Sequence, residues 1–69
     1  MPLVQITLVE GRPAERKEAL IGAATEAVVA ALDAPRESVR VVLYEVPAEH
    51  WGVGGSSKKK QAQEQAKEE

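Results

Sequence analysis

The chain has 69 residues, 43% of them hydrophobic and 29% charged, so it forms one small globular domain at most. Its net charge of -2 provides no basic surface for phosphates, so we expect no nucleic-acid partner. Cysteine is absent and His50 is the single histidine, so we expect no disulfide and no structural metal site. The longest apolar run, residues 27–32, is too short to cross a membrane, and no secretory signal opens the chain. We therefore expect a cytoplasmic protein with no membrane partner.

The first element predicted in the chain is a β-strand over residues 3–9. Val4, Ile6 and Leu8 alternate with other residues and so place three apolar side chains on one face. Residues 10–12 interrupt this alternation, so we expect a strand with one buried face that ends at residue 9.

An α-helix is predicted over residues 14–32, after Pro13, a residue suited to the first turn of a helix. The apolar residues of this segment recur with helical period and form an alanine-rich stripe. The stripe consists of Leu20, Ile21, Ala24, Ala27, Val28, Ala31 and Leu32. Asp33-Ala34-Pro35 ends the helix, because a residue before proline avoids the α conformation.

A second strand is predicted over residues 38–46, ended by Pro47. Strand, helix and strand form a β-α-β unit, whose two strands should be parallel with a right-handed crossover. Such a sheet has open edges and an exposed apolar face, so partner chains must complete it. Residues 49–55 predict a short glycine-rich hairpin that could pair with a neighbour.

We divide the chain into a folded domain, residues 1–55, and a polar tail, residues 56–69, that holds only Ala62 and Ala66 as apolar residues. The tail is either a frayed helix or disordered, and we assign it no role. A domain of about 55 residues is too short for a comfortable monomeric core. With disulfides and metal excluded, self-association is the expected source of stability.

Pro2 has two interpretations. A proline is tolerated at the first position of a strand. Alternatively, removal of Met1 leaves a free secondary amine on a rigid ring. Burial beside guanidinium groups would lower the pKa of that amine and make it a capable general base near neutral pH.

Arg12 and Arg40 are the arginines that we single out, and Arg16 and Arg36 are interpreted as solvated surface charges. Arg12 lies in the strand-to-helix loop, and Arg40 lies inside an otherwise apolar strand, where an unpaired charge is costly. A planar guanidinium suits a carboxylate or an enolate oxygen. Trp51 either provides an apolar wall to such a site or anchors an interface, and both roles are compatible.

Several short segments form one combined pattern over residues 2–55. Its positions are Pro2, Glu10-Gly11-Arg12, Lys17, Leu20-Ile21, residues 32–35, residues 38–41, Glu45 and residues 51–55. In this combination the chain resembles the short-chain 4-oxalocrotonate tautomerases, without gaps.

The resemblance implies an α/β (α+β) subunit of β-α-β type with a short C-terminal hairpin, assembled through dimers into a hexamer. It implies a cofactor-free isomerase in which Pro2 is the general base. Arg12 is implied to bind the distal carboxylate, and Arg40, from a neighbouring subunit, to bind the 2-oxo group and the near carboxylate. Trp51 is implied to line the pocket, and because phenylalanine is more usual there, the tryptophan is expected to narrow it.

The implied substrates are 2-hydroxy-dienoate and 2-oxo-enoate acids, above all 2-hydroxymuconate, an intermediate of aromatic-compound catabolism. Relatives that hydrolyse halogenated acrylates carry an arginine and a glutamate at the positions of Val9 and Val53, so dehalogenation is disfavoured. Two alternatives stay open. One is a non-catalytic or weakly promiscuous oligomer of the same fold, which retention of Met1 would favour, and the other is an enzyme diverged to decarboxylation or hydration.

Overall fold

The first strand and the long helix form where the sequence predicts them. In the computed structural model, which describes residues 2–67, strand β1 spans Leu3–Val9 and helix α1 spans Ala14–Leu32. The extended backbone of Pro13 precedes the helix. The helix ends at Asp33, whose left-handed conformation (φ 53°, ψ 42°) is a common way to terminate a helix.

The second strand, β2, spans Arg40–Val46, and our predicted start at Ser38 was wrong by two residues. A 3-10 turn over Arg36–Ser38 occupies that position. The carbonyl oxygen of Pro35 accepts hydrogen bonds from the backbone N–H of Ser38, at 3.0 Å, and from its hydroxyl, at 2.7 Å. These local bonds compete with strand pairing, so the turn forms in place of the first two strand residues.

Strands β1 and β2 pair in parallel, as predicted, in a register that places Leu3 opposite Arg40 and Val9 opposite Val46. Helix α1 covers the sheet face that carries Val41, Leu43 and Glu45, since Lys17 on the helix donates to Glu45 Oε1 at 2.9 Å. This ion pair is about two-thirds buried, with its side chains 30% and 31% exposed. The β-α-β unit is therefore joined by a charged contact as well as by apolar packing.

The glycine-rich hairpin begins three residues later than predicted, so this prediction was wrong in its bounds. Residues Ala48–His50 form a 3-10 turn, and the hairpin strands are β3, Gly52–Val53, and β4, Ser56–Ser57. Gly54 and Gly55 connect them with positive φ angles of 60° and 91°. A two-residue hairpin turn of type I′ requires positive φ at both central positions, and glycine adopts such angles without strain.

The described part of the tail forms a second helix, α2, over Lys58–Lys67. Ser57 caps it, because its Oγ accepts the backbone N–H of Lys60 at 3.0 Å. The division we placed after residue 55 falls within the hairpin, and β4 and α2 follow it without a break. Glu68 and Glu69 lie outside the described residues. No helix within residues 2–67 is both long and apolar enough to span a bilayer.

One copy of the chain leaves much of its apolar surface open. Among the described hydrophobic side chains, only Leu8 and Val39 are buried, whereas Leu3 is 56% exposed and Tyr44 is 48% exposed. The radius of gyration is 16.2 Å, against about 11 Å for a compact domain of this length. The sheet face opposite α1 therefore has no cover among residues 2–67.

Candidate active site

Pro2 and Arg40 lie together at the end of the sheet where both strands begin. Pro2 is half-buried just before β1, and its carbonyl oxygen accepts the backbone N–H of Arg40 at 3.0 Å. This bond extends the strand pairing by one step and fixes the proline relative to β2. Met1, and therefore the state of the Pro2 nitrogen, lies outside the described residues.

The position of Arg40 differs from the one inferred from the sequence. Arg40 is the first residue of β2, and its side chain is exposed, not enclosed in an apolar strand. Its Nη1 donates to the carbonyl oxygen of Glu37 at 2.6 Å and more weakly to that of Val39 at 3.5 Å. The 3-10 turn before the strand supplies these acceptors, which orient the guanidinium without neutralising it.

Arg12 lies at the opposite end of the sheet, in the loop between β1 and α1. Gly11 precedes it with a φ of 127°, which lets the chain reverse directly after the strand. Arg12 Nη1 donates to the carbonyl oxygen of Val9 at 3.0 Å. Within the described residues this is its one hydrogen bond, so most of the guanidinium N–H groups remain available to a ligand.

Trp51 and Arg12 line one cavity of about 230 Å³ at this end of the sheet. Trp51 is half-buried, so its indole provides an apolar wall beside a charged group. The complete lining is Thr7, Leu8, Val9, Arg12, Trp51 and Lys58. A cavity with one aromatic wall and a guanidinium suits a small organic anion.

Lys58 was not anticipated from the sequence, because the tail was given no role. The available signal was Ser57, a good helix-capping residue placed directly before a run of helix formers. A helix beginning at residue 58 brings its first side chain next to the hairpin and hence next to Trp51.

Arg12 also borders a second, larger cavity of about 430 Å³ on the side of α1. Its lining is Gly11, Arg12, Pro13, Arg16 and Leu20. It contains no aromatic side chain, and both arginines are exposed to solvent. The cavity beside Trp51 offers the more selective surroundings for a ligand.

Arg36 lies outside both cavities and forms an ion pair with Glu26. Its Nε and Nη2 donate to the two carboxylate oxygens of Glu26 at 2.8 and 2.6 Å. These hydrogen bonds hold the pKa of the Glu26 carboxyl below its ordinary value and raise the pKa of Arg36. Both groups are solvent-exposed, which agrees with the surface role inferred for Arg36.

The sheet separates the candidate residues into two groups. Pro2 and Arg40 lie where the strands begin, and Arg12 and Trp51 lie where β1 ends. The seven residues of β1 span about 20 Å. Within one chain, Pro2 therefore meets Arg40 and not Arg12. Among the described side chains, no group of three His, Asp or Glu residues is placed to hold a metal ion.

The sequence and the fold both have close counterparts among known proteins. Residues 2–61 match the family described as tautomerase enzyme. A probable tautomerase of Ralstonia nicotianae is 66% identical over 58 residues, which cover 84% of this chain and 83% of that protein. A 2-hydroxymuconate tautomerase of Stutzerimonas stutzeri is 51% identical over 59 residues, covering 86% of this chain and 94% of that protein.

A structural counterpart is a heterohexameric 4-oxalocrotonate tautomerase from Chloroflexus aurantiacus. It superposes with a TM-score of 0.83 at 46% identity, covering 86% of this chain and 95% of that chain. The β-α-β topology that positions Pro2, Arg12 and Arg40 is thus shared along with the sequence. The resemblance inferred from the residues is confirmed, and the chain belongs to the 4-oxalocrotonate tautomerase family of isomerases.

Proposed function

We propose that the protein is a cofactor-free, oligomeric tautomerase that converts 2-hydroxymuconate to 2-oxo-3-hexenedioate. The family supplies the reaction class, and the arginines point to an acidic substrate. Two carboxylates at opposite ends of an unsaturated six-carbon chain match two guanidinium groups that bind from opposite sides. The relative from Stutzerimonas stutzeri, a 2-hydroxymuconate tautomerase, supports this choice of substrate.

The observation that carries the proposal is the distribution of the candidate residues over the two ends of the sheet. The Pro2 amine at one end, and a guanidinium beside an indole at the other, are complementary halves of one site. The substrate is far shorter than β1, so one chain cannot present both halves to it. The halves meet when the Pro2 end of one chain faces the Arg12 end of another, and the resemblance adds Arg40 from a neighbouring subunit.

In this site, Pro2 acts as the general base. Its neutral amine accepts the proton of the 2-hydroxyl group; the O–H bond breaks, and the C2–O bond becomes a carbonyl. The electrons move along the diene, the remaining double bond shifts to C3–C4, and C5 takes the proton back from the prolinium.

The arginines stabilise the charge that develops during this transfer. Arg40 binds the 2-oxo group and the near carboxylate, where negative charge appears first. Arg12 binds the distal carboxylate and draws electron density toward C5, the carbon that is protonated. Placing fixed charges where charge develops is a major source of rate acceleration, particularly beside the apolar surface of Trp51.

The mechanism requires that Met1 be removed, because the lone pair of an acylated proline nitrogen is delocalised into the amide and does not accept a proton. Intact mass of the purified protein tests this requirement. A mass lower by one methionine agrees with the mechanism, and full-length protein with full activity would contradict it.

Replacement of Pro2 tests the base assignment. We expect Pro2→Ala to lower kcat for 2-hydroxymuconate ketonisation by about 100-fold or more, the range typical of a lost general base. Arg36→Ala is a suitable control, because an exposed ion pair contributes little to stability or to the site. Near-wild-type turnover by Pro2→Ala, with the oligomer intact, would remove the base assignment.

A further inference from the structure

Lys58, the first residue of α2, lies in the cavity that holds Arg12 and Trp51. Its backbone N–H donates to the carbonyl oxygen of Trp51 at 2.7 Å. The same residue that connects the hairpin to the helix thus also belongs to the cavity lining.

The start of α2 is held to the preceding hairpin and turn by side-chain contacts of two residues that follow Lys58. Lys59 Nζ forms an ion pair with Glu49 Oε2 at 3.3 Å, and Gln61 Nε2 donates to the carbonyl oxygen of Val53 at 3.2 Å. These contacts direct the neighbouring side chains of the helix away from the cavity. The position of Lys58 is therefore set by the fold and is not that of a free tail residue.

The cavity carries two positive charges and no negative one. Arg12 and Lys58 are its charged residues, and no carboxylate belongs to its lining. In the described residues, neither cation forms an ion pair. Two like charges around one small space repel each other, and a bound anion relieves that repulsion.

We infer that Lys58 binds the distal carboxylate of the substrate together with Arg12, and so favours dicarboxylates over monocarboxylates. This inference rests on the proposed function. The planar guanidinium of Arg12 fixes the orientation of the carboxylate, and the flexible ammonium of Lys58 contributes a second charge without a strict geometry. The tail helix thereby becomes part of the specificity of the enzyme.

Lys58→Met tests this role, because methionine keeps most of the length of the side chain and removes the charge. We expect kcat/KM for 2-hydroxymuconate to fall about fivefold, mainly through KM, as for loss of one charge-assisted hydrogen bond at a partly exposed site. For 2-hydroxy-2,4-pentadienoate, which lacks the distal carboxylate, we expect a change below about twofold. Lys58→Arg should restore the dicarboxylate preference.

Lys60→Met is the matched control, since Lys60 lies on the same helix, is exposed, and is outside the cavity. An equal loss with both substrates would overturn the specificity role of Lys58 and make it structural. Wild-type kinetics of Lys58→Met would overturn it as well, and the proposed function would stand.

Binding of inert analogues separates this inference from the proposed function. If the wild-type protein ketonises neither substrate, the proposed function fails, and binding of 2-oxoadipate and 2-oxohexanoate then tests Lys58 alone. Weaker binding of the dicarboxylate to Lys58→Met than to Lys60→Met supports the role. Equal binding overturns it.

Discussion

Mixed oligomers of two impaired variants test whether the active site is shared between chains. Pro2→Ala removes the proposed base, and Arg12→Ala removes the proposed clamp for the distal carboxylate. The two positions lie at opposite ends of β1, a strand of seven residues that spans about 20 Å. If a site takes Pro2 from one chain and Arg12 from another, a mixed oligomer contains some sites in which both residues are intact.

The expected recovery follows from random mixing. In an equimolar mixture, half of the chains supply an intact Pro2 and half supply an intact Arg12, so about a quarter of two-chain sites are complete. We therefore expect about a quarter of wild-type ketonisation activity after the variants are unfolded and refolded together. Each variant refolded alone provides the baseline.

A second mixture provides a control from the same geometry. Arg12 and Trp51 line one cavity within a single chain, so Arg12→Ala mixed with Trp51→Ala should regain no activity above the mean of the two variants. Absence of recovery in the Pro2→Ala and Arg12→Ala mixture, when mass analysis shows mixed oligomers, would refute the two-chain site.

Three further predictions concern specificity, pH and the hairpin. Arg12→Ala should lower kcat/KM for dicarboxylates about tenfold or more relative to monocarboxylates, and Arg36→Ala is the control. An equal loss of kcat/KM for both substrate classes would argue against binding of the distal carboxylate by Arg12. The pKa of Glu26 is lowered by Arg36, so this pair stabilises the fold above the ordinary glutamate pKa, and the contribution disappears as pH falls through the lowered value. The melting temperature of Glu26→Gln should accordingly lie below that of the wild type by about 2 °C or less at pH 7. A difference in melting temperature that persists at pH 2.5 would contradict this prediction. Gly55→Ala should destabilise the hairpin by about 1 kcal/mol, because alanine resists a φ of 91°, and unchanged thermal stability would exclude that strain.

The elements with strong local signals could be predicted closely. Alternation in residues 3–9 and helical period in residues 14–32 each give one pattern only, and the prolines beside the helix mark its ends. The bounds of β1 and α1 therefore agree with the sequence. These elements depend on patterns that extend over many residues, so no single competing contact displaces them.

The errors arose where a few local hydrogen bonds compete with propensity. Ser38 has the context of a strand, but bonds to Pro35 hold it in a turn. The hairpin was placed too early because its second strand, Ser56–Ser57, is polar and short and carries no strand signal of its own. Lys58 was missed for a related reason, since its proximity to Arg12 depends on the path of the hairpin and not on sequence spacing.

The candidate site was predictable as a set of residues but not as an arrangement. Residue type and position identify Pro2, Arg12 and Arg40 as candidates, and Trp51 is the single tryptophan of the chain. The separation of Pro2 from Arg12 follows from the strand that the sequence predicts over residues 3–9. The placement of Arg40 beside Pro2 follows from the register of the parallel strands, which composition and spacing do not specify. The two-chain site that we propose rests on the separation of Pro2 from Arg12 along β1.

The most direct test of the account is the rate at which the protein ketonises 2-hydroxymuconate, followed by ultraviolet absorbance. The sample should first be shown by intact mass to lack Met1. A dedicated tautomerase should reach a kcat/KM of about 10⁶ M⁻¹s⁻¹ or above, within the range of efficient enzymes. Absence of activity in protein that carries a free Pro2 amine and is correctly assembled would contradict the proposed reaction.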